Sequence, residues 1–270
     1  MFSKRLLIGA LAATGFMALP SQADTIELTG VIRDFQTSHP DFETYPNTYN
    51  KVMATLGEDG KPVLDMTYYN LKKGTSGQSV YSAASFAQWF QDVVGVNISI
   101  PYSITLDNGQ EGPGGVYSYA REKQMPAPYN YFFPIDNMGY GLTPNSAEWP
   151  LRWASGGVHN FHFTYELKTE FTYTDPATRE DAMVFSFTGD DDVWVFINGK
   201  LAVDLGGVHS QKQASVNLDA AAEMLGLEPG GTYTLDLFFA ERHTSESNFR
   251  IETTLQLKEV PPTTVSPLYD

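Results

Sequence analysis

Carboxylates are concentrated at one place in this chain. Gly189-Asp190-Asp191-Asp192 lies between two β-rich runs and is followed by Asn198-Gly199 and then by Asp204-Leu205-Gly206-Gly207-Val208-His209. Three adjacent carboxylates repel one another unless water solvates them or a cation holds them, so the segment is either an open acidic turn or a cation site. Its spacing does not match the Asp-x-Asp-x-Asp-Gly loop, which excludes an EF-hand. A second polar stretch, Glu241-Arg242-His243-Thr244-Ser245-Glu246-Ser247-Asn248, follows an apolar run that ends at Ala240. Polar loops at strand ends are common mounts for binding groups, although a Glu–Arg pair also suits a plain surface loop.

Other chemistries find little support. His159 and His162 are three residues apart on an expected strand, so they face opposite sides and make no ligand pair. The chain lacks His-Glu-x-x-His, Gly-x-Ser-x-Gly and the phosphate-binding Gly-x-x-x-x-Gly-Lys-Ser/Thr pattern. A glycosidase carboxylate pair is set by geometry and stays open, as a lesser alternative. Tyr129, Tyr131, Phe132, Phe133, Trp149 and Trp153 suit either sugar stacking or core packing, with packing the commoner use.

Of 270 residues, 32 are Asp or Glu and 17 are Lys or Arg, for a formal net charge of −15. That balance argues against nucleic acid, which needs clustered cations. With no cysteine there is no disulfide, thiolate metal site or thiol nucleophile. The acidic balance suits calcium, which takes carboxylate and carbonyl oxygens. Lys4 and Arg5, the apolar residues 6–19 and the exit Pro20-Ser21-Gln22-Ala23 read as a secretory signal peptide cleaved after Ala23. No second apolar span follows, so a secreted, extracellular or cell-surface protein is expected, with the periplasm also open.

The elements that must position these groups have a period of two. Residues 26–32, 96–106, 159–173, 183–187, 193–204, 233–239 and 249–257 alternate apolar and polar or are continuously β-rich. Pro101 places the second run at an edge or bulge. Asn198-Gly199 predicts a tight hairpin joining residues 193–197 to 200–204. Short helices are expected around Phe86, Trp89, Phe90 and Val93, and over residues 218–225 with Gly226 as cap. Trp194 is compatible with either face of its strand. The expected architecture is an all-β, antiparallel β-sandwich with a few short helices. It comprises a signal peptide at 1–23, one domain at 24–260 with its core at about 154–258, and a short tail at 261–270.

The stretch FTGDDDVWVFINGKLAVDLGGVHS at 187–210, with YTLDLFFAERHTSESNFRIETTLQL at 233–257, resembles the fibro-slime domain. RDFQTSHPDFE at 33–43, FFPIDN at 132–137 and HNFHFTYEL at 159–167 resemble what precedes that domain in its relatives. Fibro-slime domains are similar to the protective-antigen-type, jelly-roll-like β-sandwich of adhesins, toxins and glycosidases. In lectin-like members of that wider group a cis-linked Asp-Asp pair binds calcium, and sugar hydroxyls complete the coordination. The resemblance places that pair at Asp190 and Asp191, with Asn198-Gly199 at the turn; Asp192 stands where the group has glycine. It implies Asn248 as the preferred further oxygen donor, Asp192 and Asp204 as second choices, and His209, Glu241, Arg242 and His243 as ligand-binding residues. The implied function is calcium-dependent binding of carbohydrate or an extracellular polymer. The alternatives are a matrix or protein–protein module in which calcium only stabilises the fold, and less readily a carbohydrate-active enzyme.

Overall fold

The computed structural model describes residues 23–262, apart from 45, 47, 121–130, 143–150, 155–156 and 245. The expected signal peptide, Tyr129, Trp149 and nearly all of the tail lie outside the described residues. Thirteen strands and three short α-helices are present among the described residues. In chain order they are β1 Ala23–Phe35, α1 Met66–Lys72, α2 Ala83–Phe86, β2 Asn97–Glu111, β3 Tyr117–Ala120, β4 Leu151–Ala154, β5 Gly157–Asn160, β6 Phe163–Thr172, β7 Val184–Gly189, β8 Asp192–Ile197, β9 Lys200–Leu205, β10 Lys212–Asn217, α3 Leu218–Leu225, β11 Thr232–Glu241, β12 Phe249–Thr253 and β13 Lys258–Glu259.

All pairings are antiparallel, in the order β10-β7-β12-β3-β2-β1-β6-β11-β8-β9, with β13 beside β6 and β4-β5 apart as a hairpin. The terminal strands β9 and β10 lie against each other, so the sheet curls almost closed around one core. Alternate residues line it: Val193, Val195 and Ile197 from β8, Leu235, Leu237 and Phe239 from β11, and Phe185 and Phe187 from β7. Phe132 fills the centre, stacked on Phe249 at 4.5 Å.

Strands β8 and β11 are buried on both faces. Their other face, with Trp194, Phe196, Phe238 and Ala240, meets a second apolar cluster containing Val52, Leu64, Phe86, Trp89 and Phe90. The segment before β2 therefore covers the outer face of these strands. It also caps the edge of β9, through Leu201 N to Ala54 O at 2.9 Å and Leu56 N to Gly199 O at 3.0 Å. Trp194 thereby faces the cover instead of the main core.

The hairpin forms as its turn chemistry predicts, with Ile197 opposite Lys200 and positive φ at Asn198 (52°) and Gly199 (70°). Helix α3 also matches, with Asn217 accepting from the first turn and Gly226 closing it at φ 70°. Three local expectations change. The run 159–173 breaks at His162, whose φ is 61°, so Phe161 leaves the main core for a small cluster with Phe133. The helix around Phe86 spans only Ala83–Phe86, with Trp89 and Phe90 buried in the turns after it. The glycine-rich stretch after residue 106 continues β2 as far as Glu111. Pro101 pairs with Val31 in β1, and among the described residues β3 meets β2 at Asp107.

A Cβ at Gly199 would meet nothing within 4 Å, so its substitution isolates the cost of a left-handed backbone. Gly199→Ala should lower stability by about 1–2 kcal/mol, read from the urea midpoint. An unchanged midpoint would show that the turn does not demand that geometry.

Candidate functional site

The acidic triplet is not a solvated turn. Asp190, Asp191 and Asp192 are 5%, 4% and 0% exposed. The peptide between Asp190 and Asp191 is cis, the linkage the resemblance implies for such a pair. Gly189 ends β7 directly before it, and a Cβ there would collide with the Asn248 carbonyl oxygen. Glycine thus lets the start of β12 approach closely enough to place Asn248 beside Asp190.

The three carboxylates divide into two kinds. Asp192 is fully compensated by cations. Its Oδ1 meets the Lys51 ammonium and the Gly207 N–H, and its Oδ2 accepts from Arg242 Nε at 2.6 Å. Burial alone would raise its pKa, but the charges of Arg242 and Lys51 outweigh that and hold it below the usual carboxylate value. Lys51 is itself pushed down to about 8, first by burial. Its ammonium lies 5.6 Å from the Trp194 ring and 6.0 Å from Trp89. Arg242 Nη1 donates to Asp41 O at 2.9 Å, Thr44 Oγ1 at 2.7 Å and Ser79 O at 3.0 Å. Both partners of this buried cluster are needed, since each would be an uncompensated charge alone.

Among the described residues, the hydrogen bonds to Asp190 and Asp191 come from N–H groups. Asp190 accepts from Asn248 N at 2.6 Å and from Asn248 Nδ2 at 2.9 Å. Asp191 accepts from His209 N at 3.3 Å and Arg242 N at 3.1 Å. Burial pushes Asp190 up to about 6 and Asp191 up to about 8; at Asp191 the charge of Arg242 opposes the rise, and repulsion from Asp190 and Asp192 adds to it. Beside them Glu241 is fully buried; its Oε1 accepts from His243 N at 3.4 Å, and the Ser247 hydroxyl favours its charged form against burial. Burial and the two aspartates raise its pKa well above the ordinary value.

The second-choice aspartates are otherwise engaged. Both oxygens of Asp192 are taken by protein donors, as just described. Asp204 Oδ1 accepts from Trp194 Nε1 at 3.1 Å and Gly206 N at 2.9 Å, and its Oδ2 accepts from Asn50 N at 2.8 Å. Arg242, expected to contact ligand, is 0% exposed and acts inside the fold. His209 faces the site through its backbone, while its ring nitrogens lie 2.9 Å from Ser210 O and 3.0 Å from Leu205 O. His243 is half-buried, 3.7 Å from Glu43 Oε2. Lys51 and Asp41 were not legible as members of this cluster, because no local pattern links them to residues 190 and 242. His159 and His162 are not on one strand, since the chain breaks at His162; His159 Nδ1 lies 2.7 Å from Asp136 Oδ2 and His162 Nε2 2.9 Å from Glu43 Oε1.

A hard cation fits this donor set. It would neutralise two buried carboxylates that form no side-chain ion pair among the described residues, with the buried carboxyl of Glu241 nearby. Among the described residues no three His, Asp or Glu side chains cluster tightly enough to hold a metal alone. Calcium takes about six to eight oxygens, so amide or carbonyl oxygens, water or an outside ligand would have to fill most of the shell.

These features define a curled antiparallel β-domain with a buried Asp-Asp pair at one end of its hairpin. Residues 158–268 match the model of the PA14 domain. Along most of its length the chain is similar to psiR of Dictyostelium discoideum, with 39% identity over 263 residues covering 94% of this chain and 24% of psiR. It is 37% identical to psiD of the same organism over 255 residues, covering 93% of this chain and 45% of psiD. The chain thus spans less than half of either relative. Among solved structures it overlaps the epithelial adhesin 6 A domain of Candida glabrata, crystallised with Galβ1-3GlcNAc, at 15% identity and a TM-score of 0.24, covering 92% of this chain and 84% of that one.

Two predictions follow from this geometry. Arg242→Met leaves Asp192 buried against Lys51 alone and should cost about 3–5 kcal/mol in chemical denaturation; a loss below about 1 kcal/mol would mean the cluster is not the anchor described. In chelator, Asp190, Asp191 and Glu241 bind protons more tightly folded than unfolded. Stability should therefore decline as pH rises from the ordinary 3.8 toward about 8. Asp192 acts oppositely, adding stability above its ordinary pKa that is lost only in stronger acid. Melting curves across that range that stay flat or rise would contradict the assignment.

Proposed function

We propose that this chain is a non-enzymatic binding module, acting outside the cell, that holds calcium at Asp190 and Asp191 and binds carbohydrate or an extracellular polymer at or beside the ion. The observation that carries the reading is the unequal treatment of the triplet: Asp192 is matched by Lys51 and Arg242, whereas its two neighbours are buried with N–H donors among the described residues. Asn248, turned to Asp190 through Nδ2, supplies its amide oxygen as the further donor. The remaining positions suit hydroxyl oxygens, which is how a bound ion would recruit a sugar. The PA14 match over residues 158–268 supports an adhesin-like role. The expected signal peptide supports export, and among the described residues no helix is long and apolar enough to cross a membrane.

Calcium at 100 times its dissociation constant should add about 2.7 kcal/mol of stability. Melting temperature should rise with calcium and fall with chelator, and Asp190→Asn or Asp191→Asn should each blunt the response while Asp270→Asn leaves it intact. A wild-type protein whose melting ignores calcium would end the reading. A calcium response without glycan binding would leave the ion structural and favour the matrix-module alternative.

A further inference from the structure

The segment 131–136 lies outside the residues matched to the PA14 domain, yet it is fastened to the rim of the candidate site. Phe132 N donates to Ser247 O at 2.8 Å, one residue before Asn248. Phe132 itself is buried in the main core, so it anchors the segment, whereas the residue before it packs against the separate small cluster of Phe133 and Phe161. That residue, Tyr131, is half-exposed, and its hydroxyl lies 3.5 Å from Glu246 Oε1. Glu246 and Ser247 lead directly into Asn248, whose backbone N–H and side-chain amide both donate to Asp190, at 2.6 and 2.9 Å. Tyr131 thus sits against the loop whose end carries the contact to the carboxylate pair.

The ring is also supported from behind. Tyr131 packs against Phe133 at 6.4 Å, and Phe133 stacks flat on His159 with centroids 3.8 Å apart and 7° between planes. Asp136 fixes that imidazole through Nδ1 at 2.7 Å, and Phe161 closes the cluster edge-on at 4.9 Å. A partly exposed aromatic face held by this much buried structure loses little entropy when it binds, which is what a recognition platform needs. An acceptor carboxylate beside an aromatic ring matches a pyranose, whose C–H face packs on the ring while a hydroxyl donates to the acid.

We infer that Tyr131 is the sugar-stacking residue of this site and selects pyranoses that present an apolar C–H face, with Glu246 accepting a hydroxyl from the same sugar. This inference rests on the carbohydrate-binding reading proposed above. It gives the part of the chain ahead of the PA14-matched residues a share in specificity.

The test uses a printed glycan array probed in calcium with the full chain, Tyr131→Ala and Tyr131→Phe, alongside calcium-dependent melting of all three. Expected is at least a tenfold loss of array signal for Tyr131→Ala, retention for Tyr131→Phe, and the same calcium-induced melting shift throughout. The unchanged shift shows that Tyr131→Ala is folded with its ion site intact. Tyr131→Ala binding like wild type overturns the inference and leaves carbohydrate binding standing. A wild type that binds no glycan on the array overturns both, even where calcium still raises its melting temperature. Loss of glycan binding in Tyr131→Ala, with no calcium effect on any of the three, sustains the platform and removes the ion.

Discussion

Three consecutive carboxylates inside a protein cannot all stay ionised without compensation, and this fold answers that constraint in two ways. Asp192 is neutralised by cations brought from opposite ends of the chain: Lys51 from the covering segment and Arg242 from the end of β11. Among the described residues Asp190 and Asp191 receive backbone and amide N–H groups but no direct ion pair, and only the charge of Arg242, bound to Asp192, works against the burial of Asp191. Oriented dipoles lower the cost of a buried charge without removing it, which is why both groups titrate high in the absence of a bound ion. The same few residues are thus partly a structural anchor and partly the carboxylate pair at which calcium binding is proposed.

The anchor explains why the chain has such a long segment ahead of the PA14-matched region. Strands β8 and β11 carry large apolar side chains on both faces, and one sandwich core can cover only one of them. Trp89, Phe90 and Phe86 cover the other. At the centre of that second layer Asp41 accepts from Trp89 Nε1 at 2.8 Å, and its carbonyl accepts from Arg242 at 2.9 Å. Buried polar links of this kind add direction to an otherwise non-specific apolar contact. The arrangement also holds residues 241–243 rigidly beside Asp191, through Glu43 N to Arg242 O at 2.9 Å and Arg242 N to Asp191.

What could be read in the sequence was what is encoded locally. The Asn198-Gly199 turn, the Gly226 cap and the alternation in β7, β8 and β11 each depend on neighbouring residues, and they formed as expected. The position of the Asp pair was legible because its motif is contiguous. The fate of Asp192, Asp204 and Arg242 was not, because their partners Lys51, Asn50 and Asp41 lie some 140 to 200 residues away in the chain. Trp194 alternates correctly, but no local pattern tells which of two apolar layers it enters. The break at His162 escaped for a related reason: a positive φ there is imposed by packing against Phe42 and Glu43, not by a glycine or a turn dipeptide. Strands β3 and β10 are short and mixed in composition, so they become strands only by pairing with β12 and β7.

The most direct measurement of the central claim is a crystal structure of this chain grown in calcium, with anomalous scattering used to locate the ion. The account places one ion against the carboxylates of Asp190 and Asp191, with oxygens at about 2.3–2.6 Å, Asn248 contributing its amide oxygen, and Asp192 still bound to Lys51 and Arg242. Well-ordered carboxylates at 190 and 191 with no ion between them at saturating calcium, or an ion that displaces Lys51 to capture Asp192, would contradict it.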